Sequence, residues 1–172
     1  MNSHELSVRG GNERTAFYIA GGYLYQEGIQ YRSDLRRYTA RINIDHKASR
    51  KLKIGTYITA GYEKDNNPVT ESNNIYNLAF RAYLENPYME AFNEDGSYTT
   101  EEDGLLWANP IQQLDLNELE DHDLKMVGKV YLDYQILPDL SFRSTVGGDF
   151  SDFVNKSYIH PESDWGQEQG GE

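Results

Sequence analysis

Two long runs of strict alternation, joined by a short turn, constrain this chain more than any other feature. From Arg37 to Lys47 the odd positions are Arg37, Thr39, Arg41, Asn43, Asp45 and Lys47, and the even positions are Tyr38, Ala40, Ile42, Ile44 and His46. After Ala48–Lys51 the pattern returns, with Leu52, Ile54, Thr56, Ile58, Ala60 and Tyr62 on one side and Lys53, Gly55, Tyr57, Thr59, Gly61 and Glu63 on the other. Period-2 alternation marks strands with one wet and one apolar face, and so short a turn makes the pair an antiparallel hairpin. Soluble strands usually run about 5–6 residues, whereas tilted bilayer-crossing strands need about 9–11. The length therefore points to a membrane barrel.

The remainder of the chain extends this pattern. His4 to Gly10 alternates, with Leu6 and Val8 on one face, and Gly10–Arg14 reads as a tight turn. Thr15 to Gln26 carries rings on both faces and is assigned as a strand with Phe17 and Ile19 outward. Glu27 to Leu35 is a polar loop around Gly28. Alternation resumes at Leu124 and runs through Met126, Val130, Leu132, Tyr134 and Ile136 to a turn at Leu137–Asp139. A last strand follows through Leu140, Phe142, Val146 and Phe150, and after Asp152 the pattern fades into a polar tail.

Between them, Asp65 to Asp123 differs in kind. Ile75, Leu78, Ala79 and Ala82 have helical spacing within Ser72–Leu84, and Asn86–Pro87 ends that helix. Asn93–Ser97, Thr99–Gly104 and Asn109–Pro110 read as loop or turn. A connection of this length is far beyond ordinary loops and is usually functional. It also holds the acidic excess: Glu63–Asp123 has fifteen acids against two bases, within a net charge of −12 for 172 residues. No basic stripe exists to neutralise phosphates, which argues against nucleic acid as a partner. No run approaches 18 apolar residues, so no transmembrane helix is expected, a result that leaves a barrel open. The turns at Gly10–Arg14, Ala48–Lys51 and Leu137–Asp139 are short, while Glu27–Leu35 and Asp65–Asp123 are long. Up-and-down membrane barrels sort their connections in this way, short on the periplasmic side and long outside.

The fold expected is therefore all-β: an antiparallel, up-and-down transmembrane β-barrel segment of about six strands, not closed, with one long extracellular loop containing a short helix. Its strands occupy about 4–64 and 124–152 and its loop 65–123. Six strands fall short of the eight in the smallest bacterial barrels, and each backbone group left unsatisfied in lipid costs several kcal/mol. Alone, such a sheet is not expected to form a pore.

His4–Glu13, Phe17–Ile19 and Gly22–Ile29 resemble the barrel of SusC/RagA-type TonB-linked outer-membrane transporters of Bacteroidetes. So do Arg37–Tyr38 with Arg41–Lys47, then Leu52–Gly55, and Asn109–Ile111. The resemblance runs over nearly the whole chain in the family's order. It implies a roughly 22-stranded barrel with a plugged lumen, located in the outer membrane and contacting its lipid. It also implies contact with TonB through a plug, a SusD-like lipoprotein over the mouth, and import of oligosaccharide or peptide. Signal peptide, plug and TonB-contacting segment are not recognisable in the chain. The expectation is a fragment from near the start of the barrel, not functional without the rest of the barrel and the plug.

No catalytic constellation stands out: there is no Ser/His/Asp set, no phosphate-cradling loop and no paired catalytic carboxylates, so neither enzyme activity nor a cofactor is expected. The four histidines, His4, His46, His122 and His160, lack ligand spacing, and Asn93–Gly104 lacks the glutamate that would close a calcium loop at its twelfth position. Tyr76, Tyr83, Tyr88, Tyr98 and Trp107 are the candidate contacts for substrate or partner, with a local loop core as the alternative role. Arg37, Arg41, Asp45, Lys53, Lys129 and Arg143 are expected to face the lumen, as hydrated wall or as contacts to substrate or plug. Two rival readings are a soluble or surface-exposed β-rich binding module and a passive porin-like channel. The first would need a second layer to cover Ile42, Ile44, Ile54 and Ile58; an upstream plug would exclude the second.

Overall fold

The structure is a computed structural model and describes residues 1–66, 78–100, 103–105, 109–163 and 166–167. Six strands dominate: β1 (Asn2–Gly11), β2 (Thr15–Glu27), β3 (Asp34–Lys47), β4 (Leu52–Asn66), β5 (Glu118–Leu137) and β6 (Leu140–Tyr158). They form one antiparallel sheet in sequence order, unclosed, with β1 and β6 at its edges. Two short helices, α1 (Leu78–Leu84) and α2 (Pro110–Leu116), lie between β4 and β5.

The short turns carry their own chemistry. At β1–β2, Asn12 Oδ1 accepts from the backbone N–H groups of Arg14 and Thr15, which fixes the register that pairs Val8 with Ile19 and Gly10 with Phe17. At β3–β4, Ser49 N–H donates to Leu52 O, and Ser49 Oγ accepts from Lys51 N–H. The β2–β3 connection is tighter than the polar composition of Glu27–Leu35 suggests. Gly28 and Ser33 pair through their backbones at 2.8 Å, and β3 begins already at Asp34.

Further assignments differ from the expectation, for physical reasons. β5 starts at Glu118, before the alternation becomes visible at Leu124, and β6 continues past Asp152 to Tyr158. Backbone pairing, supplemented by Asn155 Nδ2 donating to Asp121 Oδ1 at 2.7 Å, carries strand geometry where no apolar period exists. Asn109–Pro110 is the start of α2 instead of a turn, because asparagine at the N-cap and proline in the first helical turn also form a helix-start signature. The described part of the Ser72–Leu84 helix is Leu78–Leu84; residues 72–77 lie outside the described residues.

The chain divides into two compact units. The first is the bulk of the sheet: Met1–Gln26, Leu35–Lys64 and His122–Val154. It has no apolar core: Ile42, Ile44 and Ile54 are each 37% exposed, and Val146 is 72% exposed. The second comprises Glu27–Asp34, Asp65–Asp121 and Asn155–Glu172. Its buried groups are mostly polar: Leu105 and Leu114 are joined by Arg81, Thr99, Asn109, Gln112, Gln113 and Ser163. Among the described residues no helix is long and apolar enough to cross a membrane.

Candidate functional site

On one face of the sheet, side chains assemble into a graded band. At one end Tyr23, Tyr38, Tyr62 and His122 form a row across four strands, with successive ring centroids 5.2, 6.3 and 6.0 Å apart. Tyr62 Oη and His122 Nδ1 close the row with a 2.6 Å hydrogen bond. Arg36 sits beyond the row with its guanidinium 5.7 Å from the Tyr25 ring. Next come the aliphatics, Ile42 and Ile44 on β3, Ile54 and Ile58 on β4, and Met126, Val130 and Leu132 on β5. At the far end Thr15 Oγ1 and His46 Nδ1 make a 2.8 Å hydrogen bond. From Leu52 to Tyr62 a strand rises about 34 Å; at a barrel tilt of about 40° that covers roughly 26 Å. Transmembrane barrels present an apolar band of about 25 Å flanked by aromatic girdles. Polar–aromatic rings suit such borders because one end of each ring can stay hydrated while the rest is buried.

The opposite face is polar and cross-linked. Asp45 on β3 is its hub: its carboxylate accepts from Tyr57 Oη at 2.9 and 3.0 Å and from Tyr131 Oη at 2.6 Å. Tyr131 stands on β5, so its ring must cross β4 to reach β3. It does so over Gly55, where an added Cβ would lie 2.0 Å from the ring. Tyr57 and Tyr131 stack at 6.1 Å. Lys129 Nζ lies 5.1 Å from the Tyr57 centroid, and the Arg143 guanidinium carbon 5.3 Å from that of Tyr131. Arg143 also donates to Asp133 at 2.6 Å, and Arg37 to Glu63 at 2.6 Å.

Of the six residues expected to face the lumen, the structure therefore brings Asp45, Lys129 and Arg143 into one cluster. Lys53 lines an adjoining cavity with Asp45 and Tyr131, Arg37 is paired separately with Glu63, and Arg41 is exposed. Sequence reading missed Gly55, Tyr57, Tyr131 and Asp133 in this network. The two tyrosines sit at polar-face positions of strict alternation, which was the available signal.

In the second unit, Asn109 and Asp115 organise the connection between β4 and β5. Asn109, 1% exposed, caps α2 by accepting from the N–H groups of Ile111 and Gln112, while its amide donates to Ala91 O and Thr99 O. Asp115 accepts from Tyr98 Oη at 3.1 Å and from Arg32 at 3.1 Å. Arg32 holds a left-handed backbone, φ 58°, which is uncommon for a side chain of its size; its bonds to Asp115 accompany that conformation. Tyr98 also stacks on Phe92 at 5.3 Å, and burial together with the Asp115 bond pushes its hydroxyl pKa up. Tyr98 thus serves the loop's own packing. Tyr83 and Tyr88 are 88% and 91% exposed. Tyr76 and Trp107 lie outside the described residues. Within Asn93–Gly104, the Asp95 and Asp103 carboxylates are taken up by the turn. Ser97 donates to Asp95 through its hydroxyl and N–H, and Thr100 N–H donates to Asp103, holding both pKa values down.

A long-stranded, unclosed up-and-down sheet with a tyrosine-bordered apolar band on one face and a polar, cross-linked face on the other has the form of a β-barrel wall segment. No family model matches the chain. It is 31% identical over 162 residues to the TonB-dependent receptor P26 of Formosa agariphila, covering 92% of this chain and 16% of that protein. With the TonB-dependent receptor SusC of Bacteroides thetaiotaomicron the figures are 25% over 181 residues, 93% and 18%. The structure of the RagAB peptide importer in its open-open state superposes with a TM-score of 0.72 at 17% identity, covering 95% of this chain and 19% of that one. Over most of its length the chain belongs to the SusC/RagA-type family of TonB-dependent receptors. Receptors of this type are outer-membrane proteins, and the relatives are receptors and transporters. The chain spans less than a fifth of the length of the relatives described here.

Proposed function

We propose that this chain forms part of the barrel wall of an outer-membrane, TonB-dependent importer of oligosaccharide or peptide, working with a SusD-like lipoprotein. The observation that carries the reading is the two-faced sheet, with an apolar band on one face and Arg37, Arg41, Asp45, Lys53, Lys129 and Arg143 on the strands' polar side; in this reading the first meets lipid and the second faces the lumen and its plug. The kinship with TonB-dependent receptors supports energised uptake over passive diffusion, with TonB acting through a plug. In this reading the connection between β4 and β5 faces outward. Tyr83 and Tyr88 are its available contacts for solute or lipoprotein, whereas Tyr98 is engaged internally. Aromatic faces suit both, since they bury large area at low conformational cost.

The test is genetic and biochemical together. Disruption of the gene in its own host should abolish growth on one class of glycan or peptide. The tagged protein should fractionate with the outer membrane and co-purify with a lipoprotein. Unchanged uptake of every glycan and peptide offered, or recovery of the protein in a water-soluble fraction, would overturn the reading.

A further inference from the structure

We propose that Arg14, Arg50 and Lys51 form a cationic collar that holds the headgroups of anionic phospholipids; the proposal rests on the reading that the Ile42 face meets lipid. The short turns and the residues beside them carry Arg14, Lys47, Arg50 and Lys51 against Glu13 and Asp139, in a chain of net charge −12. These strand ends are tied side by side: Lys47 N–H donates to Arg14 O at 2.7 Å, and Gln135 N–H to Lys51 O at 2.8 Å. All three collar cations are exposed, and none has an ion-pair partner among the described residues. Farther along the strands cations are already held, Arg37 by Glu63 and Lys125 by Asp123.

Their place along the strands selects the ligand. Arg14 and Lys47 directly adjoin Thr15 and His46, whose hydrogen bond borders the apolar band. Arg50 and Lys51 directly precede Leu52, where β4 and its apolar period begin. A ligand that meets these cations and the band together has an anionic head and apolar tails. Long basic side chains lay their stems along apolar surface and keep the charge in water, and near an anionic membrane surface each one gains attraction. Arginine adds forked, charge-assisted hydrogen bonds to phosphate oxygens. In this reading the short turns lie on the periplasmic side, where the leaflet of an outer membrane consists of phospholipid.

The experiment reconstitutes the complete receptor polypeptide in phosphatidylcholine vesicles, with spin-labelled phosphatidylglycerol as probe and spin-labelled phosphatidylcholine as control. The electron-spin-resonance spectrum gives the fraction of each lipid slowed by contact with the protein. Phosphatidylglycerol should associate roughly fivefold more strongly than phosphatidylcholine, and added salt should erode the preference. The triple variant Arg14→Gln/Arg50→Gln/Lys51→Gln should lose it, while Arg14→Lys/Arg50→Lys/Lys51→Arg should keep it. Arg36→Gln, beyond the tyrosine row at the other end of the band, should leave it unchanged. Heat-modifiable mobility checks that each variant is folded. A preference that survives the triple Gln variant overturns the collar. Slowed lipid with no preference between the two also overturns it and leaves the lipid-facing band standing. No slowed lipid of either kind defeats the band reading and the collar with it. Polyglutamate bound by a receptor without the lipid preference would give the cations to an acidic protein instead, and overturns the proposal.

Discussion

Tyr131 donates its hydroxyl to Asp45 at 2.6 Å from two strands away, and the ring's path crosses the one buried position of the sheet, Gly55. This contact ties β3, β4 and β5 together on a face that has no apolar core. Gly55→Ala would place a methyl group inside the Tyr131 ring. The cost expected is about 1–3 kcal/mol, read from the urea midpoint of the folded receptor in detergent. Tyr131→Phe should cost about 1.5 kcal/mol through the lost charged hydrogen bond. In the double variant the two costs should fall well short of their sum, because the first substitution already displaces the ring. Strict additivity would show that Gly55 and the Tyr131 hydroxyl act independently, so that Gly55 does not open the ring's path to Asp45.

The two faces should respond oppositely to charge. Ile42→Lys places an ammonium in the middle of the apolar band, where about 2–4 kcal/mol is lost in a membrane barrel. Its neighbour Arg41, on the other face, should tolerate Ala with little change. Heat-modifiable mobility of the folded barrel on unboiled gels measures both. Equal tolerance at the two positions would contradict the lipid assignment of the Ile42 face.

Asn109→Ala removes the cap of α2 and two bonds to the segment preceding it, at an expected cost of about 1–2 kcal/mol. The loss should stay local. Limited proteolysis should speed up within the β4–β5 connection, while the heat-modifiable fraction stays unchanged. A collapse of barrel assembly would mean that the loop is needed to fold the wall.

The turn around Asn93–Ser97 should depend on pH. The Asp95 and Asp103 carboxylates are held below their ordinary 3.8 by bonds from Ser97 and Thr100. Depressed folded-state values mean that their contribution is present above the ordinary carboxylate range and fades as pH falls through the folded values. Amide exchange of Ser97 and Thr100 should therefore accelerate below that range, beyond the intrinsic pH trend, and Asp95→Asn should remove the dependence on Asp95. A flat profile after intrinsic correction would remove the assigned role.

What the chain alone determines is the strand pattern. Side chains alternate with period two, so Ile42, Ile44, Ile54 and Ile58 declare a face wherever pairing places them, and loop lengths then sort the hairpins. The same logic fails where pairing rather than hydrophobicity makes the strand, as at Glu118–Asp123 and Phe153–Tyr158. It fails also where one dipeptide fits two structures, as at Asn109–Pro110. Only the tertiary structure decides that Tyr131 reaches Asp45, that Tyr23, Tyr38, Tyr62 and His122 stand in one row, and that Tyr98 turns inward while Tyr88 stays in water. Each of these depends on the register between strands or on folding a long connection, and neither is encoded in local spacing.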